Sequence, residues 1–141
     1  MWILDVSVVV KWFFTDEPLR EKAIELRDVL VEKPLMFAVP HLFYSELIHV
    51  LSKKSGKKVQ FVQEALDLVL SFGLPTVFLT KEGLSKAVQY SCEGLSGYDA
   101  TYVALANQLK ARWVTSDSQA VKNSPIFLAV ELSSWAEEAT S

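Results

Sequence analysis

The chain has 141 residues, half of them apolar and 22% charged, with a formal net charge of −3; this length suits one domain over residues 1–141 built on one substantial core. The single cysteine, Cys92, excludes an internal disulfide and is expected as a small buried hydrophobe. No apolar run reaches membrane-span length and no basic leader opens the chain, so no membrane association and a cytoplasmic location are expected; the slightly acidic balance advertises no general affinity for nucleic acid.

In chain order, Trp2-Ile3-Leu4 reads as a short buried strand ending at Asp5, and Ser7 as the N-cap of a helix over 8–14. Thr15, Asp16 and Pro18 open a second helix, on which Leu19, Ala23, Leu26 and Leu30 recur with helical spacing until Pro34. A strand over 36–39 stops at Pro40. The helix predicted over 41–54 has Leu42, Leu47, Val50 and Leu51 on its apolar side, Glu46 in its middle and Gly56 as C-cap. Another amphipathic helix spans 59–72, closed by Gly73, and a strand covers 76–79. Thr80 caps a helix reaching Cys92, and the loop 93–97 leads into the stretch Gly97 to Asp117. There Tyr102, Val103, Leu105, Ala106 and Leu109 form a broad apolar helix face, Lys110 and Arg112 close the helix where the dipole favours cations, and Trp113-Val114-Thr115 follows as a strand. A helical turn over 118–123, a strand over 126–130 and a terminal helix over 133–139 complete the chain.

Five short apolar strands alternating with helices point to an α/β domain with a mostly parallel sheet covered on both faces. Ligands of such sheets bind beyond the carboxyl ends of the strands, where the strand order reverses. Asp5 follows the first strand and Asp117 the fourth; if those strands are neighbours, both acids face one crevice. Asp99, at the head of a helix roughly 18 Å long, can reach the same edge, although spacing alone does not prove it. Glu46 is the fourth candidate, with a solvated helix face as its alternative. Carboxylates gathered at one edge repel one another, and a hard divalent cation relieves that repulsion. Mg²⁺ takes oxygen ligands and substrate phosphate, and Mn²⁺ suits the same site. Two such ions can hold the attacking water and the leaving oxygen of a phosphodiester displacement.

Four short motifs occur in order: Leu4-Asp5-Val6-Ser7, Ser45-Glu46-Leu47, Tyr98-Asp99-Ala100-Thr101-Tyr102-Val103-Ala104-Leu105-Ala106, and Val114-Thr115-Ser116-Asp117. Together they resemble the PIN-domain ribonucleases, and among these the VapC-type toxins of type II toxin–antitoxin pairs. The resemblance covers essentially the whole chain. It implies a three-layer PIN-like fold with a five-stranded sheet in the order 3-2-1-4-5, an acidic pocket for Mg²⁺ or Mn²⁺, and endonucleolytic cleavage of RNA. It also implies a homodimer and a cognate antitoxin whose helix covers the pocket. Asp5, Glu46, Asp99 and Asp117 match the family's four acids, and Ser7 and Thr115 its small hydroxyl residues, which orient acids or water. Asp5, Asp99 and Asp117 would then ligate metal directly or through water. Glu46 would either support them from behind or act as base on the attacking water; the choice stays open.

RNA must also be held. The dense basic run holds Lys53, Lys54, Lys57 and Lys58, seven or more residues beyond Glu46, and Lys11 lies within two turns of the first strand. A solvated helix–helix turn is the alternative for the run. Phe43 or Tyr44 could stack a base, with core packing as the alternative, and Trp12-Phe13-Phe14 serves either a partner surface or the core. The Glu46/His49 spacing is that of carboxylate-bridged iron sites, but those need two such motifs on four long helices. Zinc lacks its soft ligands here. A receiver-like or phosphatase-like domain would want a further acid where this chain has Val6 and Ser7. A catalytically silent PIN-like module that only binds RNA or protein is the remaining alternative, against which the retention of four acids argues.

Overall fold

The structure, a computed structural model, describes residues 1–137. Five parallel strands form one sheet in the order β3-β2-β1-β4-β5: β1 (Trp2–Leu4), β2 (Phe37–Pro40), β3 (Thr76–Val77), β4 (Arg112–Thr115) and β5 (Ala129–Glu131). The central strand β1 pairs Ile3 with Ala38 on one side and with Trp113 on the other. From β1 the chain builds outward through β2 and β3, then returns to place β4 against the opposite side of β1. The reversal of strand order therefore falls between β1 and β4, which lie side by side with their carboxyl ends at one edge.

Side-chain alternation along these strands divides the interior into two layers. Trp2, Leu4, Phe37, Val39, Val114 and Val130 face one way, and pack with α1 (Val6–Val9), α2 (Arg20–Glu32), α3 (Leu42–Lys54) and α4 (Val59–Ser71). Ile3, Ala38, Trp113 and Ala129 face the other way, under α5 (Lys81–Cys92), α6 (Gly97–Leu109) and α7 (Ser118–Asn123). Strands buried on both faces carry continuous apolar runs, which is why β1 and β4 read so plainly.

Several boundaries differ from those predicted. Asp5, not Ser7, caps α1, accepting the Ser7 amide, and the helix tightens into a 3₁₀ turn over Val10–Trp12. The second helix begins only at Arg20, after Leu19 at a φ of 58°. Residues Pro34–Met36 form a 3₁₀ turn, so β2 starts one residue later than expected and includes Pro40. Strand β3 stops at Val77. Ser96 caps α6 through the Asp99 amide, a start signal not read in advance. The last strand begins at Ala129, because Ile126 and Phe127 are 82% and 79% exposed and Phe127 takes a φ of 72°. The terminal helix is replaced by a 3₁₀ turn over Leu132–Ser134 with no helix through Glu137; the end of the predicted span, Ala139, lies outside the described residues. Cys92 is exposed rather than buried, at the end of an amphipathic helix whose outer face it shares. No helix among the described residues is long and apolar enough to cross a membrane.

Candidate functional site

At the carboxyl edge of β1 and β4 lies a cavity of about 450 Å³, lined by Asp5, Ser7, Lys11, Glu46, Lys54, Asp99 and Ser116 among others. Each acid arrives on a different element. Asp5 leaves β1 as the cap of α1, Glu46 sits in the second turn of α3, and Asp99 lies in the first turn of α6.

Asp5 is the most strongly held. Its Oδ2 accepts from the Ser7 amide at 3.1 Å, from the Ser7 hydroxyl, and from the Thr115 hydroxyl at 3.1 Å. Both hydroxyls also accept, Ser7 Oγ from the Ser116 amide at 3.0 Å and Thr115 Oγ1 from the Asp117 amide at 3.2 Å. A hydroxyl has one proton. With both protons pointed at Asp5, the 3.3 Å approach between Ser7 Oγ and Thr115 Oγ1 is a packing contact. The Trp113 indole N–H has no partner of good geometry among the described residues, yet stands near enough to Asp5 to favour its ionised form. Even so, burial wins and raises the Asp5 carboxyl above the ordinary range.

Glu46 Oε1 accepts a 2.9 Å hydrogen bond from the phenol of Tyr102, which is fully buried and stacked on Trp113 with centroids 5.6 Å apart. Burial raises Glu46, the bond from Tyr102 opposes that rise, and the charges of Asp5 and Asp99 add to it. Asp99 is raised by burial, then by Asp5 and Asp117. The Tyr102 phenol is driven far above its usual range by burial and by the surrounding acids, so it remains a donor. In the sequence Tyr102 stands in an apolar helix face and within the third motif, with no role of its own assigned. The available signal was its position three residues after Asp99, which puts both on one side of α6.

Asp117 belongs to the neighbourhood without lining the cavity. It caps α7, its Oδ1 accepting from the Gln119 and Ala120 amides at 3.0 and 3.1 Å, while its charge still reaches Asp99. Ser116 Oγ lines the cavity region, buried and without a hydrogen-bond partner among the described residues.

The basic residues separate into two groups. Lys11 is 4% exposed, lines the cavity and donates to the Pro18 carbonyl at 2.7 Å. Lys54 also lines it, two turns beyond Glu46 on α3, but pairs with Asp16 and Glu17 at 3.5 and 3.6 Å. Lys53, Lys57 and Lys58 are exposed and outside that lining; Lys57 instead borders a groove with Ile48 and Val59. Phe43 is fully buried, with Tyr44 edge-on against it, so Phe43 cannot receive a base. Trp12 belongs to the core, and Phe13 and Phe14 pack against it.

A family profile described as the PIN domain matches residues 2–123, the span that holds the first four strands and α1 to α7. The chain belongs to the PIN-domain family. Solved structures share this PIN fold at low identity. PAE2754 of Pyrobaculum aerophilum superposes with a TM-score of 0.70 at 19% identity, covering 94% of this chain and 89% of that one. VapC20 of Mycobacterium tuberculosis, a sarcin–ricin-loop-cleaving toxin, gives 0.69 at 16%, covering 86% and 94%. VapBC2 of Rickettsia felis, bound to a fragment of its promoter DNA, gives 0.67 at 17%, covering 92% and 97%. No curated protein sequence is significantly similar.

The cavity of this PIN domain is lined by four carboxylates, Asp5, Glu46, Asp99 and Glu17, the last paired with Lys54, with hydroxyls beside them and no imidazole or thiolate in the lining. That chemistry fits a hard divalent cation. Among the described residues, however, no three carboxylate, imidazole or thiol groups are grouped to hold an ion by themselves.

Proposed function

We propose that this PIN domain is a metal-dependent endoribonuclease, using Mg²⁺ or Mn²⁺ to cleave RNA phosphodiester bonds, and that it serves as the toxin of a toxin–antitoxin pair. One observation carries the reading: Asp5, Glu46 and Asp99 converge on one cavity, where burial and, for Glu46 and Asp99, neighbouring charges raise their carboxyls. Such an arrangement costs stability unless a cation occupies it. Asp5, Asp99 and, from the rim, Asp117 would hold the ion. When bound, the ion would supply Lewis-acid stabilisation of the phosphate and a more acidic water. Glu46, fixed by Tyr102, would orient the attacking water or take its proton. Ser7 and Thr115 keep the Asp5 carboxylate turned to present its other oxygen. Lys11 uses one of its three ammonium protons on Pro18 and has two left for a substrate phosphate; Lys54 stands beside it.

The toxin assignment draws on the fold shared with VapC20 and with the VapBC2 complex. A cognate antitoxin and a homodimer belong to the same proposal. A catalytically silent binding module is the second reading, favoured by the absence of a three-ligand cage among the described residues and by the pairing of Lys54. Incubating the purified protein with structured and unstructured RNA separates the two. Cleavage with Mn²⁺ that disappears in chelator and in Asp99→Asn supports the nuclease. No cleavage of any RNA with Mn²⁺, or cleavage indifferent to chelator and to Asp99→Asn, overturns it.

A further inference from the structure

We propose that the stacked pair His41–Phe78 is the docking platform for an unpaired nucleobase of the RNA that enters the acid cavity; the proposal rests on the nuclease reading above. The two rings stack at 5.1 Å between centroids and 26° between planes. They stand together because Pro40 pairs with Val77, so the next residue of each strand, His41 and Phe78, leaves the sheet at the same carboxyl edge that carries Asp5. Phe78 is 69% exposed, and a ring with one face on His41 leaves the other to solvent. Among the described residues the His41 ring makes no hydrogen bond, so its nitrogens are free to meet a base edge or a phosphate.

Position and rigidity favour a nucleobase as occupant. His41 heads α3, and Glu46 follows five residues later, a rise of roughly 7 Å. Five residues also turn the helix through about 140°, so a strand that touches both the platform and the acids passes around the head of α3. The segment carrying Phe78 is fixed: its carbonyl accepts from Gln108 Nε2 at 3.1 Å, and the Thr80 amide donates to Gln108 Oε1 at 2.9 Å. A ring held in place loses little freedom on binding. Aromatic stacking accepts any base, which suits recognition of an unpaired strand by shape rather than by sequence.

The test is fluorescence anisotropy of a labelled single-stranded RNA, in chelator at low salt, against wild type, Phe78→Ala, Phe78→Trp and His41→Ala. A series of RNAs carrying one abasic position each is titrated in parallel. Phe78→Ala should bind about 5-fold or more weakly, Phe78→Trp should bind as wild type, and His41→Ala should lose less than Phe78→Ala. One abasic position should weaken wild type and leave Phe78→Ala unmoved. Equal affinity of Phe78→Ala and wild type overturns the platform, while Mn²⁺-dependent cleavage by wild type in the same preparation leaves the nuclease reading standing. Sedimentation showing that Phe78→Ala breaks a dimer, at unchanged RNA affinity, assigns the ring to a protein contact and also overturns it. A wild type that neither binds nor cleaves RNA overturns both.

Discussion

At the residue scale, the site depends on how single protons are spent. Thr115 Oγ1 gives its proton to Asp5 and receives the Asp117 amide, at 0% exposure. Thr115→Val keeps the shape and deletes both bonds, leaving the part-buried Asp117 amide without its acceptor and Asp5 without one of its donors. The expected cost is about 1–3 kcal/mol, read as a lower urea midpoint with unchanged slope. Tyr102→Phe is subtler. The phenol favours the ionised form of Glu46, so its loss pushes that carboxyl further up. If Glu46 acts in its ionised form, the acid limb of the kcat/KM profile should move to higher pH; an unmoved limb with reduced rate would make Tyr102 a purely structural support. Asp5 and Asp99 stood out in the sequence because one follows a strand and the other opens a helix, whereas Glu46 lies inside α3 and was singled out by its motif alone. Tyr102 was marked only by its spacing of three from Asp99, and a buried tyrosine on an apolar stripe looks like any core residue until its oxygen is placed against a partner on another helix.

At the element scale, α5 and α6 form an antiparallel pair joined at its open end by Gln108. Gly83 sits within α5, where replacing glycine by alanine ordinarily stabilises by roughly 0.5–1 kcal/mol. Here the new Cβ would lie 2.4 Å from Gln108 Oε1 and 3.1 Å from a Leu79 methyl. Gln108 could move only by giving up its bonds to Thr80 and Phe78. Gly83→Ala is therefore expected to destabilise by about 1 kcal/mol instead, and in a thermal-melt cycle with Gln108→Ala the two losses should be less than additive. A stabilised Gly83→Ala would mean the Gln108 contact has no energetic weight. Element type was legible through most of the chain, and element ends were not. Ile126 and Phe127 look like strand residues, yet they are exposed, because an apolar run carries no record of whether a neighbouring strand reaches it. The missed cap at Ser96 was readable as Ser-x-x-Asp ahead of an apolar helix.

At the scale of the whole molecule, the acids set a balance between charge and folding. Asp5, Glu46 and Asp99 all have raised carboxyls in the folded state. An acid whose folded pKa lies above its unfolded value favours folding below the unfolded pKa, and that contribution is lost as pH rises through the folded one. The metal-free protein should thus lose stability from about pH 4 upward through the raised values. Asp99→Asn removes one charge; because Asp99 is partly solvated, the gain at neutral pH should be about 1 kcal/mol or less, at most roughly 2–4 °C in Tm. Mn²⁺ should raise the wild-type Tm and move Asp99→Asn much less. If Asp99→Asn melts lower in chelator and Mn²⁺ leaves wild type unmoved, the acids do not form a metal pocket. The α/β class and the two-sided burial followed from the alternation of elements. The strand order came through the family resemblance, since short strands buried on both faces carry no mark of which neighbour each will take.

The carboxylate of Asp5 also ties the beginning of the chain to its last third. Its bond from Thr115 spans 110 residues of sequence, and the Ser7 hydroxyl reaches as far to the Ser116 amide. Contacts of such separation form only after the intervening chain has been made and ordered. During synthesis, Asp5 emerges first and waits, without the Thr115 hydroxyl that helps to aim it, until β4 arrives. A nascent chain therefore carries every acid but Asp117 well before it carries an assembled site, and any activity of the protein would switch on with completion of the fold rather than accumulate along the ribosome.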